Sequence, residues 1–400
     1  MAISNVSFRA SAVVFSSAAF ATLGCTFGGL GNYDVETCAR PAGLSTTVQK
    51  VGTVNDLTFT SASGKSVIGA FAADVTGGSC IEAVGANGFL NTSCSFLADE
   101  TNLVPRQPMV VPISGGYAAA IIATTAPCTA GALLYRFNGL SIAGKADVTC
   151  ETSGAALPAI VPLSDGATAI VAWYATPLDS RGDPIDSCQG AKAASLQVAV
   201  VTAATSAPVI GTSMDLGGTG VSVRPPAIVP VPNQAQAILA APRGNDVGVW
   251  SLAATGSPGQ PVTIAGLAGA RAVAIGVASD GSGRIGVAAE IGCSPQSIAF
   301  AVGTLAGGFS KVSVVAPAGA DLAVAPSVAW VDAQNKWVVA WISAQGGAHV
   351  LARAFDATGN AVGAAVNPAL SATAAAATST GDIFGLVASS FVDTSLGCEP

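Results

Sequence analysis

The densest run of charged side chains in the chain is a short segment rich in aspartate. Asp179, Arg181, Asp183 and Asp186 follow one another at spacings of two or three residues, and Cys188 closes the segment. Carboxylates this close can cup Ca²⁺ through their oxygens, although the spacing is not that of an EF-hand. The alternatives are a solvated loop tied down by the cysteine, a calcium site, and a contact with a ligand or partner. Because loops on rigid scaffolds often carry function, these four charged residues are the candidate ligand or partner site.

Two glycine-rich segments match nucleotide-binding motifs in their letters. Residues 281–286 fit G-x-G-x-x-G but lead into Val-Ala-Ala, which is typical of a strand. That motif holds pyrophosphate only where it opens a helix. Residues 139–146 resemble a phosphate-binding loop, with Ala146 where a Ser or Thr should bind magnesium. The first segment is therefore predicted to be a turn, and the second a chance match within a predicted hairpin. We expect no cofactor and no metal.

Residues for acid–base or nucleophilic catalysis are scarce. His349 is the single histidine of the chain, and the sequence contains no Gly-x-Ser-x-Gly elbow. A Ser-His-Asp triad needs a histidine placed between a nucleophile and an acid, and nothing in the sequence supports that arrangement. We therefore predict no catalytic residues.

Composition excludes several classes of protein. The chain has 400 residues, of which 10% are charged, and a formal net charge of −7. Its 16 Lys and Arg residues form no basic run that could follow a nucleic-acid backbone. The high apolar content argues against disorder. No internal run reaches the roughly 18 apolar residues of a membrane-spanning helix.

The first residues are typical of an export signal. Arg9 precedes a run of small and apolar residues, 11–23, which ends at Gly24-Cys25. A small residue followed by Cys at this place resembles the lipobox of bacterial lipoproteins, in which the Cys is lipidated. We expect a signal peptide over 1–24, lipidation of Cys25 and a tether over 25–43. The protein would then be outer-membrane-anchored, periplasmic or extracellular in a bacterium. An ordinary secretory peptide is the alternative.

The number of cysteines agrees with export, because an even number of cysteines in an exported chain is typical of disulfide bonding. Without Cys25 the cysteines are Cys38, Cys80, Cys94, Cys128, Cys150, Cys188, Cys293 and Cys398. Asn87-Gly88 and Asn138-Gly139 predict hairpin turns, since both residue types accept positive φ. Positions at equal distance from such a turn face each other, which predicts Cys80–Cys94 and Cys128–Cys150. Elimination leaves Cys38–Cys398 and Cys188–Cys293.

An internal repeat organises the rest of the chain. A Pro, an apolar alternation, a polar turn and a second apolar alternation recur, with starts near Asn55, Pro108, Pro158, Pro226, Ala272, Pro326 and Thr373. Each start opens a hairpin of strands a and b, and two more strands, c and d, usually follow. Four antiparallel strands in roughly 40–50 residues are typical of a propeller blade. Six or eight blades, paired β-sandwiches and a β-solenoid are the alternatives.

The fold expected from this repeat is a single all-β propeller over 44–400 with seven four-stranded blades. The last start leaves too few residues for a whole blade, and Ser45–Val51 can supply its outer strand. The ring would then be closed by strands from both ends of the chain, with Cys38–Cys398 as a clasp. Closure removes exposed sheet edges.

Turn and tryptophan positions carry a family resemblance. Trp341 and Trp173 lie near the ends of b strands, and 355–360 read Phe-Asp-Ala-Thr-Gly-Asn after a c strand. These features resemble the long secreted β-propeller-type repeat proteins of bacteria, a group that includes lipoproteins. The resemblance implies fold and export but no chemistry, because propellers host many functions. Trp330, Trp337 and Trp341 are predicted to pack between blades rather than stack on sugars.

The leading functional hypothesis is therefore a non-enzymatic binding or scaffold module at the cell surface or in the periplasm. Its partner would be a protein or a glycan that contacts the charged loop. A propeller-type hydrolase or lyase acting on glycans is one alternative, which two carboxylates and an arginine in contact at the channel mouth would favour. A structural coat or adhesive protein is the other.

Overall fold

In a computed structural model the chain is all-β. Side chains are described in parts of 108–120, 132–136 and 143–148, and, with isolated gaps, in 154–177, 194–202, 208–218, 222–316, 323–343, 348–367 and 372–385. Elsewhere only the backbone of the strands named below is described. Among the described residues, no helix is long and apolar enough to cross a membrane.

The strands, in chain order, are β1 (Val35–Thr37), β2 (Thr46–Lys50), β3 (Asp56–Ala62), β4 (Ser66–Val75), β5 (Gly78–Gly85), β6 (Gly88–Asn91), β7 (Arg106–Ile113), β8 (Gly116–Ala123), β9 (Ala130–Asn138), β10 (Ser141–Glu151), β11 (Ala155–Pro162), β12 (Thr168–Ala175), β13 (Ala194–Thr202), β14 (Val209–Ile210), β15 (Met214–Thr219), β16 (Ala227–Pro230), β17 (Gln236–Arg243), β18 (Asp246–Ala253), β19 (Val262–Ile264), β20 (Ala270–Val277), β21 (Ile285–Ile291), β22 (Ser297–Thr304), β23 (Gly308–Ala316), β24 (Ala323–Val331), β25 (Lys336–Ser343), β26 (His349–Phe355), β27 (Ala361–Asn367), β28 (Ala374–Ala377), β29 (Asp382–Val387) and β30 (Ser390–Ser395). A single turn of 3-10 helix, Asp332–Gln334, joins β24 to β25.

Consecutive strands form one antiparallel sheet after another. The sheets are β3–β6, β7–β10, β11–β13 with β14 and β15 both on β13, β16–β19, β20–β23, β24–β27 with β1 on β27, and β28–β30 with β2 on β30. Each sheet begins at one of the predicted repeat starts. The prediction of a repeated antiparallel unit, four-stranded in most copies, is therefore confirmed, and the arrangement is β-propeller-like.

The first strand of each sheet is an edge strand, which explains why proline is tolerated in β7, β11, β16 and β24. Proline has no N–H group to donate and is tolerated at sheet edges. Just before Pro158 and Pro326, Leu157 and Ala325 adopt φ values of 52° and 54°. The pairing shifts register across both sites. A β-bulge of this kind bends the start of β11 and of β24.

Both predicted hairpins are present, but the pairing places each turn one residue away from its Asn-Gly pair. Gly85 pairs with Gly88 across the first turn, and Asn138 pairs with Ser141 across the second. Two register shifts in β10 place Gly131 opposite Cys150. The expectation that equal distance from the turn puts Cys128 directly opposite Cys150 did not allow for these extra residues. Cys128 itself lies outside the described residues, so the bond stays a prediction.

Large aromatic side chains fill the space between sheets. Trp173, Trp337 and Trp341 are fully buried, and Phe300 packs against Phe355 with ring centroids 4.8 Å apart. Trp330 contacts Trp337 edge to face at 4.9 Å. The prediction that the tryptophans pack between sheets is confirmed, since all of them are buried among side chains of neighbouring sheets.

Two strands come from the N-terminal segment. β2 pairs with β30, and β1, which lies within the segment assigned to a tether, pairs in parallel with β27. Cys293 is disulfide-bonded. Its predicted partner Cys188 lies outside the described residues, as do Cys25, Cys38, Cys94 and Cys398, and the side chain of Cys80 is not described.

Candidate functional site

The first strands of consecutive sheets, which we call the inner strands, line a cavity of about 570 Å³. We call it the inner cavity. Its wall is made by β11, β16, β20, β24 and β28, with Met109 contributed by β7. Ligand sites in proteins commonly have volumes of roughly 300–1,000 Å³. The inner cavity is therefore large enough for a small molecule.

Small and branched apolar side chains make most of this wall. Ile228, Val229 and Val277 are half-buried lining residues, as is Ala274. They belong to the apolar alternations that mark the repeat. Because each repeat contributes the same edge strand, the apolar residues of several repeats meet around one space.

Some peptide groups of the wall are already hydrogen-bonded within the protein. The Ser327 hydroxyl accepts a 2.9 Å hydrogen bond from the N–H of Ala377 in the next sheet. Glu290 accepts a 3.1 Å bond from the N–H of Ala325. Edge strands otherwise present free donors and acceptors. These two contacts make the wall less polar than a bare strand edge.

Polar side chains gather where the inner strands end, which we call the turn end of the cavity. Asn233, Ser279, Asp332 and Ser379 lie there, each after a different inner strand. Arg224, which precedes β16, lines the opposite end. The cavity thus has an apolar middle and polar ends.

Five residues at the turn end form what we call the mouth cluster: Ser279, Asp280, Arg284, Trp330 and Asp332. The Ser279 hydroxyl donates to Oδ1 of Asp332, and Arg284 pairs with Asp280. The guanidinium carbon of Arg284 lies 4.7 Å from the centroid of the Trp330 ring, a cation–π arrangement. The cluster joins the turn after β20 to the turn after β24.

The two carboxylates of the mouth cluster differ in surroundings. Asp280 accepts a 2.9 Å hydrogen bond from the N–H of Ser282. Hydrogen bonds from Ser282, together with the charge of Arg284, hold the pKa of Asp280 below its usual value. Asp332 accepts a hydrogen bond from the neutral hydroxyl of Ser279. Its charge is therefore the one that no cation of the cluster pairs with directly.

This arrangement meets only part of the criterion for a hydrolase. Two carboxylates and an arginine lie in one cluster, but Arg284 is engaged by Asp280 and by Trp330. Neither Arg284 nor Asp280 is a lining residue, and Asp332 is the single carboxylate of the described lining. Hydrolysis by a carboxylate pair requires two acids facing one substrate. The described lining therefore supplies one of the two acids.

A buried ion pair lies at the end of the β20–β21 hairpin that is farthest from its turn. Arg271 Nη1 lies 3.5 Å from Oε1 of Glu290, and the two residues are 7% and 2% exposed. Gln296 donates to the same oxygen at 3.2 Å, and the Arg271 carbonyl accepts a 3.0 Å bond from the N–H of Val223. With the Ala325 contact, these bonds link the β20–β23 sheet to β24 and to the segment that precedes β16.

The structure describes some of the residues singled out from the sequence and not others. Asp179, Arg181, Asp183 and Asp186 lie outside the described residues, in the connection between β12 and β13 where the repeat places them. His349 begins β26. Residues 281–284 lie in the turn between β20 and β21, and Ile285 and Gly286 begin β21, so the segment leads into a strand as predicted. Within the described ranges, no group of three or more His, Cys, Asp or Glu could hold a metal ion.

The mouth cluster and the buried pair were not identified from the sequence. Ser279 and Asp332 are 53 residues apart, so no local motif joins them. Both follow the inner strand of their repeat, however, and the two repeats are consecutive. Superposing the repeats would therefore have placed the two residues on neighbouring turns.

Comparisons with known proteins give similarities of fold. No protein-family model matches the sequence, and no curated protein matches it. The NanB sialidase of Streptococcus pneumoniae is 9% identical with a TM-score of 0.48, over 74% of this chain and 69% of that chain. A Dyadobacter fermentans protein of unknown function is 10% identical with a TM-score of 0.45, over 73% and 94% of the chains.

A third similar structure is prolyl oligopeptidase B of Galerina marginata. It is 8% identical with a TM-score of 0.42, over 83% of this chain and 47% of that chain. At this level of identity, the similarities concern the path of the chain and not its chemistry.

Proposed function

We propose that this chain is a non-enzymatic binding module that takes an apolar ligand into the inner cavity of a closed, seven-bladed propeller. The single observation that carries the proposal is the lining of the cavity, which is apolar in the middle and has one carboxylate in its described part. Ligand sites are mostly apolar, with few polar groups that fix orientation. A glycan hydrolase or lyase is disfavoured because its second acid is missing from the described lining.

Contacts between inner strands support closure of the ring. Neighbouring inner strands contact each other from β3 to β28, and β28 in turn contacts β3. The pairing of β2 with β30 adds an N-terminal strand to the last sheet. On this proposal the sheets are seven blades, and each blade provides one inner strand to the cavity wall.

Export is the second part of the proposal. The N-terminal sequence and the even cysteine set support an exported chain, lipid-anchored through Cys25 and stabilised by disulfides. The charged connection between β12 and β13 leaves the sheets at the end away from the a–b turns. A protein or glycan partner would contact it there through Asp179, Arg181 and Asp183, and replacing these three residues with Ser should abolish capture of that partner.

A neutral fluorescent probe, N-phenyl-1-naphthylamine, tests the cavity. We expect saturable binding of one probe per chain, because the probe emits more strongly in apolar surroundings. Ala274→Trp and Val277→Trp both fill the cavity and should weaken binding by at least about tenfold. Ala361→Trp, at an exposed position on β27, is the matched control and should leave binding unchanged.

Circular dichroism of each variant separates loss of the site from loss of the fold. Equal binding by folded wild-type and folded cavity-filled variants would overturn the proposal, as would the absence of any saturable binding.

A further inference from the structure

The inner cavity runs along the inner strands, which favours a ligand that extends in one direction. On β20 its wall includes Ala272 to Val277, six residues that at roughly 3.3 Å each span about 20 Å. An extended hydrocarbon chain can lie along this wall and reach the polar turn end. The apolar wall residues would contact the chain along its length.

Charge at the turn end favours a cationic head group. Asp332 is the single carboxylate of the described lining, and its Oδ1 accepts from the uncharged Ser279 hydroxyl. Asp280 and Arg284 neutralise each other. Arg224 lines the other end, a full strand length away. The local charge that a ligand meets at the turn end is therefore negative.

We infer that the ligand is an amphipathic cation, an alkyl chain with an ammonium head, whose head lies against Asp332 and whose chain extends along the cavity. The inference rests on the proposed function and adds the chemical class of the ligand. A hydrogen bond or ion pair to a charged group is stronger than one between neutral groups, so the head group would set both orientation and specificity.

Isothermal titration calorimetry with three octyl probes tests the class. The probes are octylammonium, octyl sulfate and octyl glucoside, all below their micelle-forming concentrations. We expect the ammonium probe to bind one per chain and at least roughly tenfold more tightly than the sulfate. Each methylene added between hexyl and decyl chains should tighten binding by about three- to fourfold.

Asp332 is exposed, so Asp332→Asn should weaken the ammonium probe by about three- to fivefold and leave the glucoside unchanged. Asp382→Asn is the matched control. Asp382 follows another a–b turn, accepts a hydroxyl hydrogen bond of 2.6 Å from Thr380, and is not a lining residue. This variant should bind all three probes as the wild type does.

The outcomes separate the two proposals. Equal affinity for all three probes, unaffected by Asp332→Asn but lost on filling the cavity with Ala274→Trp, overturns the cationic head and keeps the apolar site. Absence of binding by every probe overturns the inference, and failure of N-phenyl-1-naphthylamine as well overturns the proposed function. Binding that persists in Ala274→Trp places the ligand outside the cavity and overturns both.

Discussion

The carboxylate of Glu290 on β21 accepts a 3.1 Å hydrogen bond from the backbone N–H of Ala325 on β24, in the next sheet. Ala325 has a φ of 54°, a left-handed conformation that a residue with a side chain seldom adopts. Glu290 also pairs with the buried guanidinium of Arg271. One carboxylate therefore holds both an ion pair and the bulge that starts the next inner strand.

Glu290→Gln should lower the free energy of unfolding by about 3 kcal/mol, because it removes the carboxylate charge that pairs with the buried Arg271 guanidinium. Urea denaturation followed by circular dichroism measures the change. Asp280→Asn is the control, since it removes an ion pair at the surface and should cost less than about 1 kcal/mol. Equal decreases in the free energy of unfolding in the two variants would show that the buried pair of Arg271 stabilises the fold no more than a surface pair does.

Gly286 should not tolerate a methyl group. A Cβ at this position would lie 2.9 Å from Trp337 and 3.0 Å from Phe300, and both rings are buried. Gly286→Ala should therefore destabilise the protein by about 1–3 kcal/mol through overpacking. Gly218→Ala is the control, because nothing lies within 4 Å of its added Cβ. A change of similar size in both variants would contradict the packing explanation.

The turn after β26 should make stability depend on acid pH. The Asp356 carboxylate accepts bonds from the N–H groups of Thr358 and Asn360, both at 2.9 Å. Burial alone would raise its pKa, but the hydrogen bonds from Asn360 and Thr358 outweigh this and hold the pKa below its ordinary value of 3.8. A lowered folded pKa stabilises the fold above the unfolded pKa, and that stabilisation is lost as the pH falls towards the folded value.

Unfolding free energies of the wild type and Asp356→Ala between pH 2 and 6 test this expectation. At pH 6 the variant should be about 1 kcal/mol less stable, since several exposed hydrogen bonds are lost. The difference should shrink below pH 4, where the unfolded carboxyl becomes protonated. A difference that stays constant over the whole range would contradict the lowered pKa.

Local sequence predicted the elements of the fold better than their long-range partners. Proline followed by apolar alternation identified the inner strands because an edge strand tolerates proline and a shared wall requires apolar residues. Asn138-Gly139 identified a hairpin from its two residues alone. The shift that places Gly131 opposite Cys150 depends on bulges inside β10, which no turn motif reports.

The site was harder to predict than the fold for the same reason. Asp332 and Ser279 meet only because consecutive repeats stand side by side, and Glu290 reaches Ala325 across 35 residues of sequence. The density of charged side chains predicts a ligand or partner site in the segment around Asp183. The cavity lining, in contrast, is formed by uncharged residues that look ordinary one at a time.

Intact mass of the protein from its native membrane fraction tests the export proposal. We expect a chain of 25–400 that carries a diacylglycerol group and gains about eight hydrogens on reduction, two for each of four disulfides. A soluble, lipid-free form would contradict the anchor at Cys25. Free thiols before reduction would contradict the disulfide pairing.

A crystal structure of the chain with N-phenyl-1-naphthylamine bound tests the central claim most directly. The account predicts a ring closed by contact of β28 with β3 and density for one probe molecule between Ile228, Val277 and Val328. An open array of sheets would contradict the closed propeller. Probe density confined to the outer surface, with the inner cavity filled by ordered water, would contradict the assignment of the cavity as the binding site.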